Sequence, residues 1–444
     1  MCIRDSTGGG GGGGSRSASG SCNGGYGGSG IVILRYASKY TLVNNTPGTL
    51  TTGVLNGTVG DDKYTTFTAG TGTISGLNLD IAIGTMRENT TTGNMEIYTG
   101  AKGWRALQQT GQDVGIVPTN NFNTALYTGN ATARAIDVGF KPDFTWIKDR
   151  ITGYSHALVD SVRGPSSELN SNDTSAEYTE TNGLTAFTST GFNLGNLQYS
   201  YNQTSNTYVS WNWKAGGAAT TISGVGTINS DVSANTAVGF SIVKWAGYNT
   251  SGTTVAHGLG KKPDLMITKN ITTIASWPVF YKDAITTSDT TFTLPASTNY
   301  WLGLNDTWAY TTFTLDQQFG GQSGGTGSDQ MISYCWTSIP GYSLISTYTG
   351  TGGTDFPIIY TGFAPAWLMI KRTDSTGNWC IYDNKRDTTN PNNAVLAANS
   401  SNAESYYTSG YEVNFYNNGF QIAVGPSVDI NADGGDYIFM CFAS

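Results

Sequence analysis

Along most of this chain, apolar residues recur at every second position in short runs, the period of a β-strand. Gly, Asn, Ser, Thr and Pro separate the runs at intervals of about 8 to 12 residues, as in an all-β sandwich or barrel. The most informative runs follow a proline. They read KPDFTWIKDR from Lys141, KKPDLMITKN from Lys261 and APAWLMIKRT from Ala364. Period two puts Phe144, Trp146 and Lys148 on one strand face, with Thr145 and Ile147 on the other. The matching sets are Leu265, Ile267 and Lys269, and Trp367, Met369 and Lys371. Strands apolar on both faces belong inside a sheet layer. A proline at the strand entrance loses no ladder donor.

Around each proline strand the chain repeats a longer pattern. An aromatic-led strand opens it: FNTALYTGN from Phe122, FSIVKWAGYN from Phe240 and YSLISTYTGT from Tyr342. Gly139, Gly260 or Gly362 then precedes Pro142, Pro263 or Pro365, and an acid follows later at Asp160, Asp283 or Asp383. The closing strands are YVSWNWKAG, MISYCWTS and YIFMCFAS, which bury Val209, Trp211 and Trp213 and their counterparts Ile332, Tyr334, Trp336, Ile438, Met440 and Phe442. This predicts an all-β chain of tandem, jelly-roll-like β-sandwiches over residues 119–220, 221–339 and 340–444. At about 100 residues each, they are expected to fold as units on a string.

Composition agrees. Aromatics make up 12% of the 444 residues and charged residues only 12%, so core material is ample and disorder of the whole chain is disfavoured. The net charge of −8, with no basic stripe, argues against nucleic acid. No apolar run is long enough for a membrane-spanning helix, so membrane insertion is not expected.

Residues 1–30 differ. MCIRDS resembles the in-frame translation of a sequencing-library adaptor, which implies a metagenomic gene model whose true start lies upstream. A glycine-rich, low-complexity segment with seven consecutive glycines follows; it is expected to be disordered and to lack the GxxxxGK[ST] phosphate pattern. Residues 31–118 are read as a small β region, with a strand at Ile31–Leu34 and a hairpin in MRENTTTGNMEIYTGAKGWRA turning at NTTTGN.

Three resemblances bear on identity. GGSGIVILRY after the glycine run resembles the end of a glycine-rich module of phage tail fibres. The R-x-N-T-T-T-G-x-x-E-x-Y-x-G stretch, followed by Trp104, resembles a motif of tail-fibre and virion-decorating proteins. GFKPDFTWIKDR, HALVDSVRG, STGFNLG and YVSWNWKAGG resemble a family of uncharacterised marine-phage domains. The likeness is close over 122–216, moderate over 240–339 and confined to the strands over 342–444. It implies a virion or tail-fibre component and transfers no catalytic residue.

Candidate chemistry is sparse. His156 and Asp160 lie four residues apart on a strand, about 13 Å, too far for a triad contact. His156 falls where the second copy has Trp277 or Val279 and the third has Trp379, so a packed aromatic position is expected; His257 reads as a turn histidine. Glu177, Glu180, Asp433 and Asp436 read as loop acids, short of the facing pair that glycan hydrolysis needs. The recurring Lys and Asp read as a rim ion pair. DINADGGD (429–436) lacks the closing Glu of a calcium loop and reads as a turn. Cys335, Cys380 and Cys441 are expected to be free and buried. No metal, cofactor or catalytic residue is expected. Glycan binding is the more plausible chemistry, with Tyr300, Trp301, Asn305, Asp306, Trp308 and Tyr310 as candidates and the pairs Tyr199/Tyr201 and Tyr406/Tyr407 behind them.

The expectation is therefore a non-enzymatic phage virion protein, a tail-fibre or appendage component. Its partners would be other virion proteins and host-surface polysaccharide. A tailspike-like glycan hydrolase and a secreted bacterial adhesin are the alternatives. Homo-oligomerisation stays open, since phage fibres are usually trimers but no heptad seam is present.

Overall fold

The computed structural model describes residues 116–247, 252–282, 309–315 and 329–444, apart from 354, 355, 407, 408 and 424, together with the backbone of nine strands between residues 2 and 106. The chain divides into two units, Met1–Gln108 and Gln109–Ser444. All regular structure described is β, apart from one 3-10 turn at Pro118–Asn120.

In the first unit, Ile31–Ala37 is a strand of a four-stranded antiparallel sheet that also takes Cys2–Ser6, Val54–Val59 and Asp62–Phe67. The hairpin expected at NTTTGN forms, with Met86–Asn89 antiparallel to Asn94–Tyr98 and Asn89 opposite Asn94. The glycine-rich segment lies outside the described residues.

The second unit contains three copies of one sheet. Each has an opening strand (Phe122–Thr128, Phe240–Ala246, Ser343–Thr349), a proline strand (Phe144–Asp149, Leu265–Asn270, Trp367–Arg372), a return strand (Ala157–Asp160, Val279–Tyr281, Cys380–Asp383) and a closing strand (Thr207–Trp213, Gln330–Trp336, Asp436–Phe442). Their order in all three is opening, closing, proline, return, with antiparallel neighbours. The proline strand is thus interior, as its two apolar faces require. A smaller sheet covers one face of each: Arg134–Asp137, Gly191–Leu194 and Leu184–Phe187 in the first copy, Thr254–Ala256 with Thr312–Thr314 in the second, and Ile358–Tyr360, Gly419–Ile422 and Val413–Tyr416 in the third. Between the layers lie separate cores, such as Ile136, Ile147, Val159, Phe192 and Tyr208 in the first copy. Each copy is a β-sandwich.

The opposite faces of the three large sheets do not meet solvent. They meet one another. Trp146, Trp211 and Trp213 of the first copy, Ile267, Tyr334 and Trp336 of the second, and Trp367, Met369 and Phe442 of the third belong to one continuous buried cluster. Ring contacts cross the boundaries: Phe144–Tyr334 at 4.4 Å, Phe122–Phe442 at 5.1 Å and Trp213–Trp367 at 5.5 Å between centroids. The copies are therefore not spaced apart along a string, as expected, but packed against one another. Period two identifies an apolar face but not what covers it, and the cover is the sister copies.

Candidate functional site

The recurring polar positions cluster where one copy meets the next. Asp160 ends the first return strand. Its Oδ1 accepts the amides of Val162 and Arg163, a tight turn that swings the Arg163 guanidinium back onto Oδ2 at 2.5 Å. Asp383 and Arg386 repeat this in the third copy, again at 2.5 Å. Both pairs are wholly buried. Each Arg also bonds a carbonyl two residues before its Asp, Leu158 or Ile381. The next copy's closing strand completes each cluster: Tyr334 Oη donates to Asp160 Oδ2 at 2.8 Å, and Trp211 Nε1 donates to Asp383 Oδ2 at 3.0 Å. Glu177 neutralises Arg163 at 2.9 Å, and Glu404 bridges Arg386 and Arg150 at 2.6 Å each. Burial opposes charge on Arg163, but Asp160, Tyr334 and Glu177 outweigh it and hold its pKa up. Burial likewise opposes the Glu404 carboxylate, and Arg386 and Arg150 outweigh it, so its pKa falls below the usual value.

Strand register moves one of the expected positions. It sets Phe144 opposite Asp160, Trp367 opposite Asp383, and Leu265 opposite Tyr281. The counterpart of the two acids in the second copy is therefore Tyr281, while Asp283 lies outside the described residues. The closing-strand position that supplies a donor at the other two seams is Met440 in the third copy, and both Tyr281 and Met440 lie in the shared core. Where the acid is missing, the donor is missing too. The D-x-x-R recurrence, DSVR and DNKR, was the available signal for the clusters.

The repeated lysines are also not rim residues. Lys148, Lys269 and Lys371 are fully buried. Lys148 Nζ donates to the carbonyls of Asp149 at 2.7 Å and Thr152 at 3.2 Å. Lys269 Nζ donates to Asn270 and Ala275, both at 2.9 Å, and across the boundary to Thr174 of the first copy at 3.3 Å. Lys371 Nζ donates to Arg372 O at 2.7 Å. Burial pushes all three ammonium pKa values down to about 8. The acid after the proline is a latch: Asp143 Oδ2 accepts the amides of Ala215 and Gly217, and Asp264 Oδ2 accepts that of Ser338, fixing the chain as it leaves the closing strand.

His156 is a core residue. Its Nδ1 accepts from Trp146 Nε1 at 2.8 Å, so the proton sits on Nε2, facing the carbonyls of Ala397 and Ser400 in the third copy. Burial drives its pKa well below the ordinary value. Register makes Trp277 and Trp379 its counterparts. His257 accepts the Leu259 amide on Nδ1, and burial lowers its pKa to about 4. Sequence gave no sign of Glu168, a buried carboxyl that receives the hydroxyls of Tyr178 and Tyr201 and the amide of Asn170. Burial pushes its pKa up. Tyr201 is thereby a core residue, whereas Tyr199 is exposed.

Of the glycan-binding candidates, Tyr300, Trp301, Asn305, Asp306 and Trp308 lie outside the described residues. Tyr310 is 72% exposed. The side chains of Tyr406 and Tyr407 are likewise outside. In the 429–436 turn, Asp429 is occupied by Asn378 and Tyr411, and Asn431 takes the Thr351 amide. Among the described residues no group of three or more His, Cys, Asp or Glu is placed to hold a metal ion. Cys335, Cys380 and Cys441 are free and buried. Open clefts among the described residues include one of about 390 Å³ beside Lys141, Asp143 and Lys214 and one of about 340 Å³ beside Lys385, Asp387 and Asn390.

Comparison with curated proteins and with solved structures found no match. A family model described as a domain of unknown function, DUF7483, matches residues 117–444 in a single span that takes in all three copies. The chain therefore belongs to the DUF7483 family.

Proposed function

We propose that this chain is a non-enzymatic structural protein of a phage virion, a tail-fibre or appendage component whose three-sandwich body faces the host surface. The observation that carries the reading is the use made of the repeated ionisable residues. Asp160, Asp383, Arg163, Arg386 and the three lysines are spent inside the body, on turns and on seams between copies. A fold that buries its recurring charges to join its own parts is organised for rigidity. The glycine-rich segment and the NTTTG hairpin support the setting through their likeness to tail-fibre modules. On this reading the partners are other virion proteins, with polysaccharide of the host surface as the receptor class. The test is peptide mass spectrometry of particles purified by density gradient from a sample carrying the gene. Peptides from residues 117–444 should co-purify with particles in proportion to other virion proteins; their confinement to the particle-free fraction would refute the proposal.

A further inference from the structure

The geometry points to a saccharide-binding face on the outer sheet of the third copy. The three outer sheets share one strand pair, and the first and third add a third strand. Gly191-Phe192, Thr312-Phe313 and Gly419-Phe420 occupy matching places, and each Phe is buried between layers. What stands beside them on the outward face differs. Asp137 lies opposite Gly191, Ala256 opposite Thr312, and Tyr360 opposite Gly419. The third copy adds Tyr416 on the other flank of Gly419. The first copy holds the same three-stranded sheet with an exposed aspartate, and in the second the position is a buried alanine, so the sheet itself does not require an aromatic ring there.

Gly419 is small by necessity, because a Cβ on it would lie 2.1 Å from the Ile359 carbonyl oxygen. It forms the floor of a recess flanked by two tyrosines. Adjacent strands lie about 4.8 Å apart, so the two flanks stand about 10 Å apart, wide enough for a pyranose ring. Tyr360 is 73% exposed and Tyr416 42%. Tyr416 leans along the recess, its hydroxyl donating to Gln421 Oε1 at 2.8 Å. Asn414 Nδ2 donates to the same oxygen at 3.1 Å, which fixes the Gln421 amide with its nitrogen turned away as a donor. Beyond this strand, at Phe415, opens the 340 Å³ cleft lined by Lys385, Asp387 and Asn390. Exposed rings stack on the C–H face of a sugar, and amides bond its hydroxyls. The recess itself carries no formal charge, which selects a neutral pyranoside. The biological source of the sugar rests on the host-surface reading above; the site does not.

The experiment uses the full chain on an array of neutral oligosaccharides and bacterial surface polysaccharides, with calorimetric titration of the best binder. Wild type should bind. Tyr360→Ala and Tyr416→Ala should each weaken binding by about tenfold, while Tyr360→Phe stays close to wild type. Asp137→Ala, on the matching face of the first copy, should change nothing. Tyr360 is largely exposed, so its variants test recognition rather than folding. Absence of any saccharide binding, or binding that survives Tyr360→Ala, would overturn the site. Either result would leave the particle assay above to decide the virion reading separately.

Discussion

At the scale of single residues, the repeated lysine decides the most. A rim position would leave its pKa ordinary; burial takes it to about 8 in Lys148, Lys269 and Lys371. Between pH 8 and 10.5 the folded chain has released these protons while the unfolded chain still binds them, so stability rises with pH across that window. Each lysine contributes up to about 3 kcal/mol over the full interval. Buried thiols (Cys335, Cys380, Cys441) from about pH 8.5 and buried tyrosines such as Tyr127 and Tyr334 above about pH 10, whose pKa values burial raises, work the other way. Urea unfolding at pH 7.5 and 9.5 should therefore show the higher midpoint at pH 9.5, and Lys148→Met should reduce the difference. A difference unchanged by Lys148→Met would mean that this lysine is solvated. The sequence showed that a lysine recurs at a fixed distance from each proline. It did not show burial, because a lysine at a strand end is usually exposed, and the loops at Thr152, Thr174 and Ala275 that close over Lys148 and Lys269 follow a course period two does not predict.

At the scale of elements, strand pairing was the legible part. The proline strands, closing strands and their inward residues stand where alternation places them. The seams were less legible. Asp283 shares a sequence neighbourhood with Asp160 and Asp383, but the second return strand, Val279–Tyr281, ends two residues earlier and puts Tyr281 at the equivalent place. Only register reveals this. The two polar seams have unequal stakes. Arg386→Met would leave Asp383 and Glu404 buried without their shared cation and should cost about 3–5 kcal/mol. Tyr334→Phe removes the hydrogen bond to Asp160 and the one accepted from Arg163 Nη2, but leaves the Asp160–Arg163 pair intact, and should cost about 1–2 kcal/mol. Thermal or urea unfolding of the two variants measures this; comparable losses would contradict the assignment of Arg386 as the charge-balancing residue of its seam.

At the scale of the whole molecule, the three copies of the second unit are sandwiches on their outer sides and one protein on their inner sides. A tandem repeat of about 100 residues ordinarily suggests separable domains. Here the inner face of each sheet finds its cover only in the other two, and the family match treats residues 117–444 as one span. Hydrogen exchange on the full chain, followed at the closing-strand amides of Trp211, Tyr334 and Met440, tests this most directly. One shared core predicts that all three exchange through a single opening of the same free energy. Three separate opening energies, with one copy exchanging while its neighbours stay protected, would contradict it.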